Sequence, residues 1–288
     1  MIPLQKLNSL NRSQRLRKSA KIFGDAEHRF IASGQIEPGE KEYLENLLDL
    51  LAGDKDFSTA ATEALETARA HLASAGAAEN SSVIRRVLNS AYHLLLAETG
   101  HYPADWDFIE ADSALDPSKR RIFPGMQVYL EDIRSPFNVG SMFRAAESFG
   151  AEKIWLSPLC ADPRHKRSER TAMGCVDVLH WERLPHEPFS GPYDTGGGTP
   201  RTAALPFSGV PLFTLETGGI PLAEFPFPPR AVLIAGSEEL GVSPGALTAA
   251  DASLGRVSIP TWGAKGSLNV SVAFGILMHA WALYLAKL

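Results

Sequence analysis

The sequence predicts a parallel α/β domain preceded by a small all-helical one, and three observations carry that prediction. Residues 1 to about 110 read as amphipathic helices throughout. From Met126 onward strand and helix patterns alternate, the arrangement that builds a parallel sheet with helices on its faces. The chain then ends in a helix, Val270 to Ala286, that is apolar almost all round. These patterns divide the chain into a helical domain over residues 1–111, a linker over 112–125 and an α/β domain over 126–288.

Composition sets the class. With 288 residues, 44% hydrophobic and 21% charged, the chain has the balance of a globular protein that buries a substantial core. A net charge of −5 argues against indiscriminate binding to polyanions, but Lys6, Arg12, Arg15, Arg17, Lys18 and Lys21 stand in the first 21 residues with no acid among them. That basic arm reads either as a solvated face or as a nucleic-acid contact. Cys160 and Cys175 give neither a disulfide framework nor metal-ligand spacing, so no metal is expected. With no signal-peptide pattern ahead of them, the expected compartment is the reducing cytoplasm.

In the helical domain four helices are expected, around Ser13 to Ser33, Pro38 to Ala52, Ser58 to Ser74 and Ser81 to Glu98. In the second, Tyr43, Leu44, Leu47, Leu48, Leu50 and Leu51 oppose Glu40, Glu42, Glu45 and Asp49 at the helical period. In the fourth, Val83, Ile84, Val87, Leu88, Ala91, Leu94 and Leu95 form the inner stripe and leave Arg85, Arg86 and His93 for water or a ligand. The stretch DSALDPSKRRIFPG, with two prolines and no period, marks the boundary.

In the α/β domain the expected strands are Met126 to Ile133, Lys153 to Leu156, Leu212 to Leu215, Ala231 to Gly236 and Arg256 to Ile259, with a helix from Asn138 to Phe149. Residues 185–229 hold half of the chain's 20 prolines and read as a long surface excursion. The last helix is expected to open at Ser267 as its N-cap. For its apolar surface, a membrane span is disfavoured because the run is short and contains Gly275 and His279. A helix covered by its own sheet on one side and by a partner subunit on the other fits better, with Leu277 at the partner contact; a core helix of a large monomer stays open.

Three strand ends carry residues suited to chemistry. The first is Asn138 at a helix start with Arg144 six residues on, where a plain cap and a surface ion pair with Glu147 are the competing readings. The second is Leu233-Ile234-Ala235-Gly236-Ser237-Glu238-Glu239, a buried strand running into a glycine turn. The third joins Ile259-Pro260 to Gly266-Ser267-Leu268-Asn269. In open α/β sheets ligands collect outside the carboxyl ends of strands, so one composite pocket is expected. No phosphate-binding loop or dinucleotide fingerprint is present, so nucleoside triphosphates and nicotinamide cofactors have no support.

Together N-V-G-S-M-F-R-A-A-E-S-F-G, G-S-E-E-L-G-V-S and I-P followed by S-L-N-V-S-V-A resemble, in order and spacing, the three motifs of the SpoU/TrmH branch of the SPOUT RNA methyltransferases. The resemblance covers about Val128 to Leu288; Ala172, Glu239 and Gly266 depart from the usual serine, glycine and glutamate. It implies a deep trefoil knot, a rare exception to unknotted chains, and a homodimer through the C-terminal helix with active sites at the subunit interface. It further implies that the backbone of Gly236, Ile259 and Leu268 holds S-adenosylmethionine. Asn138 and Arg144 would stand at the ribose, with Glu238, Ser267 and Asn269 as the remaining polar groups.

The implied reaction is methyl transfer to a ribose 2′-hydroxyl of tRNA or rRNA. Arginine is always protonated, so Arg144 is read as positioning phosphate or stabilising the developing alkoxide, with action as a base through the neighbouring phosphate as the alternative. A non-catalytic RNA-binding or assembly protein that keeps the knotted fold is the second functional reading.

Overall fold

The structure, a computed structural model, describes residues 2–74, 81–100, 115–189 and 206–288. The chain divides into two compact units, Met1–Ser113 and Ala114–Leu288.

The first unit contains α1 (Leu4–Asn8), α2 (Arg12–Ser33), α3 (Pro38–Ala52), α4 (Thr59–Ser74) and α5 (Ser81–Ala97). Local signals set the boundaries. The Asn11 side chain accepts from the Gln14 N–H to start α2, Gly34 ends it at φ 70°, and Pro38 opens α3 where no N–H is needed. Leu16, Phe23, Leu44, Leu48, Leu72 and Leu88 are fully buried or nearly so, which places the apolar stripes of all four long helices in one core.

Arg85, Arg12 and Arg15 are engaged within the unit. Arg85 is not left to water: its Nε lies 3.3 Å from the buried Glu27, whose carboxylate also accepts from Asn89 Nδ2 at 3.1 and 3.2 Å. A buried carboxylate must be paired in this way, because burying it alone would cost several kcal/mol. In the basic arm, Arg12 pairs with Glu98 at 2.9 Å and Arg15 with Asp54 at 2.6 Å, so these two cations are engaged within the unit while Arg17, Lys18 and Lys21 remain exposed.

The second unit holds β1 (Met126–Leu130), α6 (Pro136–Ser148), β2 (Lys153–Leu156), α7 (Lys166–Ala172), α8 (Cys175–Val178), β3 (His180–Arg183), β4 (Leu212–Pro221), β5 (Ala231–Ala235), α9 (Pro244–Asp251), β6 (Arg256–Ser258) and α10 (Val270–Leu285). The sheet runs β3-β2-β1-β5-β4-β6, and every neighbouring pair is parallel. Alternate residues of the strands feed opposite faces. Val128, Leu130, Leu233 and Phe213 pack with α6 and α10, while Tyr129, Trp155, Val232 and Ile234 pack with α9 and with Phe189 and Phe207. The strand order reverses between β1 and β5, so a crevice is expected at their carboxyl ends.

Several boundaries differ from the sequence reading. β1 stops at Leu130 because Asp132 takes a left-handed backbone, φ 53°, held by its N–H and carboxylate on the Ser157 hydroxyl at 2.9 and 2.7 Å. β4 continues to Pro221, with a register irregularity between Leu215 and Ile220. The strand β3 and the helices α7, α8 and α9 were not expected. Asn138 is not the cap of α6: that helix begins at Pro136, and Ser135 caps it. Ser267 is not the cap of α10 either; Asn269 is, with its side chain accepting from the Ser271 and Val272 N–H groups. Of the expected linker, residues 112–114 lie outside the described residues; Arg120, further along it, donates to the Ala151 carbonyl at 2.6 Å. Of the proline-rich excursion, residues 190–205 likewise lie outside them.

Close packing of α6 on α7 depends on Gly140, where an added Cβ would strike the Ser168 carbonyl and crowd Thr171 at 2.8 Å. On α10, Phe274, Leu277, Met278 and Trp281 are fully buried. Leu277 is therefore part of this chain's own core and not of a partner contact. The opposite stripe, Val272, Ile276 and Leu283, is 40–51% exposed, so the described residues cover only one face of the helix. Among the described residues no helix is long and apolar enough to cross a membrane.

Candidate active site

The loops leaving β1 and β5 meet above the point where the strand order reverses, and the segment before α10 closes on both. Glu238, on the loop after β5, accepts from the Arg134 and Ser135 N–H groups, each at 3.1 Å, and from Asn138 Nδ2 at 2.8 Å. Asn138, buried in the first turn of α6, accepts through Oδ1 from Asn269 Nδ2 at 3.1 Å. The Asn269 Oδ1 in turn accepts from Ser271 Oγ at 2.6 Å and from the N–H groups opening α10. Glu238, Asn138 and Asn269 thus form one polar relay tying three strand ends together. Each amide is fixed in orientation, because reversing Asn138 would turn its oxygen to a carboxylate and its N–H₂ to a donor.

The relay sets the charge of its acid. Burial works against ionisation of Glu238, but the Asn138 amide and the surrounding backbone N–H groups outweigh it and hold its carboxyl below the usual range. Its contribution to stability is therefore present above the ordinary carboxylate pKa and lost as pH falls through the lowered value.

Beside the relay lies a cavity of about 530 Å³, within the range that holds a drug-sized ligand. Gly236, Glu238, Ile259, Ser267, Leu268 and Asn269 line it together with Leu215, Glu216, Thr217, Thr261 and Lys265. Gly236 is required sterically: a Cβ there would collide with the Gly241 and Val242 backbone, which folds over the end of β5. Six of the eight sequence-predicted site residues therefore share one cavity wall, and Asn138 joins them through the relay. Arg144 does not line this cavity; it is an exposed residue on α6. Glu147, the partner considered for it, has its Oε1 3.8 Å from the Arg120 Nε.

Three acids escaped the sequence reading. Glu216, at the irregularity of β4, turns its carboxylate to the Val242 N–H at 3.1 Å and to the Thr217 N–H at 2.8 Å, on the cavity wall. Glu131 is buried at the end of β1, where burial pushes its carboxyl up against the pull of the Ser243 N–H and hydroxyl, both at 2.7 Å. Ser243 also caps α9, so Glu131 anchors the start of that helix to the central strand. Burial, reinforced by Asp132 and Glu131, pushes Glu187 up to about 7. A polar residue directly after an apolar strand, and the Ser-Pro pair opening α9, were the available signals for Glu131 and its partner.

The model of the SpoU rRNA Methylase family matches residues 125–190 and 197–279, more than half of the chain. An uncharacterized tRNA/rRNA methyltransferase of Synechocystis sp. is 28% identical over 151 residues, 52% of this chain and 50% of that protein. A 23S rRNA (adenosine(1067)-2′-O)-methyltransferase of Streptomyces azureus is 32% identical over 158 residues, 54% of this chain and 53% of that protein. The chain thus spans about half the length of these relatives. Among solved structures, an AdoMet-bound rRNA methyltransferase from Sinorhizobium meliloti aligns at 24% identity with a TM-score of 0.47, covering 59% of this chain and 60% of that one.

Proposed function

This chain belongs to the SpoU rRNA Methylase family, and on that premise we propose that it is an S-adenosylmethionine-dependent RNA methyltransferase acting on a ribose 2′-hydroxyl of tRNA or rRNA. The observation that carries the reading is the Glu238–Asn138–Asn269 relay, which fixes three strand-end loops around one cavity.

The residues present fit the cofactor. The backbone at Gly236, Ile259 and Leu268 would hold it, and the close approach at Gly236 leaves no room for a side chain. Glu216, Glu238 and Lys265 all line the cavity, an acidic balance that suits a cation. When bound, the cofactor supplies an activated methyl group on a sulfonium. What remains for the chain is alignment and the handling of a poorly acidic hydroxyl proton. The relay supplies the alignment: each of its members is tied to another strand end, so the loops move as a unit. Arg144 supplies the charge at the acceptor, positioning phosphate or stabilising the developing alkoxide. Since it stands outside the cavity of its own chain, it serves the acceptor at a subunit interface.

The proposal includes the deep trefoil knot and the homodimer. Support for the dimer comes from the uncovered stripe Val272, Ile276 and Leu283 on α10, an apolar face of the kind obligate interfaces bury. Ile276→Glu is expected to give a folded monomer in light scattering, where the wild type runs as a dimer; a wild-type monomer at micromolar concentration would remove the interface from the proposal.

Two measurements test the activity. Calorimetry should show stoichiometric binding of S-adenosylmethionine, and mapping of 2′-O-methyl sites in RNA from a deletion strain should show one site lost. No cofactor binding would refute the enzyme reading.

A further inference from the structure

The loop that closes the cavity carries an aromatic ring with no use in the fold. Trp262 is 92% exposed, the most exposed of the large hydrophobic side chains among the described residues. The three other described tryptophans are treated differently by the structure. Trp155 donates from Nε1 to Gln127 Oε1 at 2.9 Å, Trp281 to the Pro228 carbonyl at 2.8 Å and Trp181 to the Val176 carbonyl at 3.3 Å. Among the described residues, Trp262 has neither a hydrogen bond nor a ring contact. A scattered exposed leucine needs no explanation. An indole left wholly in water forgoes a larger burial gain than any other side chain offers.

Its position says what it is for. Thr261 on one side and Lys265 three residues on both line the cavity, so Trp262 stands on the rim of the candidate active site. Gly263 and Gly266 follow it, and an added Cβ at either would meet nothing, so the loop is open at both positions. A flat, unpartnered ring three residues before a cavity-lining lysine matches the two demands of unpaired nucleic acid, a face for a base and a cation for a phosphate.

We propose that Trp262 is a base-stacking platform, with Lys265 as its phosphate contact, and that the protein takes its RNA single-stranded or unstacked at the modified position. This rests on the RNA methyltransferase reading and adds a substrate class to it. In a stacked duplex the base faces are already occupied, so the platform selects loops, bulges or ends.

The test uses the full chain and a short fluorescent oligoadenylate RNA, without cofactor. Wild-type tryptophan fluorescence should be quenched on binding, and a duplex RNA of the same length should compete poorly. Trp262→Phe should bind within about threefold of wild type. Trp262→Ala should lose about tenfold or more in affinity and most of the quench, as expected for one stacked base. Its salt dependence should stay unchanged, whereas Lys265→Ala should lower the salt slope by about one. Equal affinity of Trp262→Ala and wild type would overturn the platform. So would a Trp262→Ala protein that turns monomeric in light scattering, which would assign the ring to a subunit contact. Loss of S-adenosylmethionine affinity in that variant would instead assign it to the cofactor. Should the wild type bind RNA through Trp262 and yet bind no cofactor, the platform stands and the methyltransferase reading falls.

Discussion

Asn138→Asp is expected to lower S-adenosylmethionine affinity by about a hundredfold at about pH 8 and to destabilise the fold, although it changes one N–H₂ to an oxygen. In the wild type, Asn138 Nδ2 donates to Glu238 Oε1 at 2.8 Å. An aspartate has no donor there, so two carboxylates would face each other at that spacing, and both cannot stay ionised without a large cost. Losing a hydrogen bond to a charged group costs about 1.5–3 kcal/mol before repulsion is counted. The sign of the pH dependence follows. The new carboxyl pair would have one pKa raised in the folded state, so its stabilising, protonated form is present in acid and lost as pH rises through the raised value. Wild-type Glu238 behaves oppositely, since its lowered pKa removes stability as pH falls. The gap between variant and wild type in thermal melts should therefore narrow from about pH 8 to about pH 5. Asn138→Ala, which removes the donor without adding a charge, should show a smaller loss and a gap that changes less. A variant with unaltered cofactor affinity at the alkaline end would show that the relay is not what holds the cavity.

What the sequence made legible was whatever depends on periodicity or on an unbroken apolar run. The stripes of α3 and α5 and the run Ala231–Ala235 follow from burial, and burial is written into residue type. The loops were legible through their glycines and polar residues, which place Gly236, Glu238, Ser267 and Asn269 on one cavity. Caps were harder. Ser135 and Asn138 are both good cap residues three apart, and Ser267 and Asn269 two apart, so local preference cannot choose between them. In each case the asparagine's role came from a tertiary partner: Asn138 lies inside its helix because its amide is needed between Glu238 and Asn269. Strand β3 was missed because only Trp181 among its four residues is apolar, and it pairs on one side alone. Glu131 was missed because a carboxylate reads as solvated until its partner, 112 residues away at Ser243, is known. The outer stripe of α10 was read correctly as apolar but credited to the wrong leucine, since a helix apolar all round gives no phase from which to pick the buried face.

Arg144→Ala is expected to lower methyl transfer by about 10² or more while leaving cofactor binding and dimerisation near wild type. The residues proposed to hold the cofactor lie on the loops after β5 and β6, whereas Arg144 is exposed on α6 and outside that cavity. Its removal should therefore spare the ground state and cost the step in which charge develops on the acceptor oxygen, for which one positioned charge is worth about that factor. Arg144→Lys should rescue little, because a point charge does not reproduce a planar fork on phosphate or ribose oxygens. Service across a subunit interface has its own signature. Co-expressed Arg144→Ala and Asn138→Asp chains, each inactive as a homodimer, should give mixed dimers in which one site combines an intact relay with an intact arginine. Random pairing would then restore about a quarter of wild-type activity. An arginine acting within its own chain would restore nothing in the mixture, because every site would lack one component. A surface ion pair, by contrast, would be worth at most about 1 kcal/mol of stability and no activity. Full activity of Arg144→Ala would take the residue out of the reaction, and an inactive mixture would confine it to its own subunit.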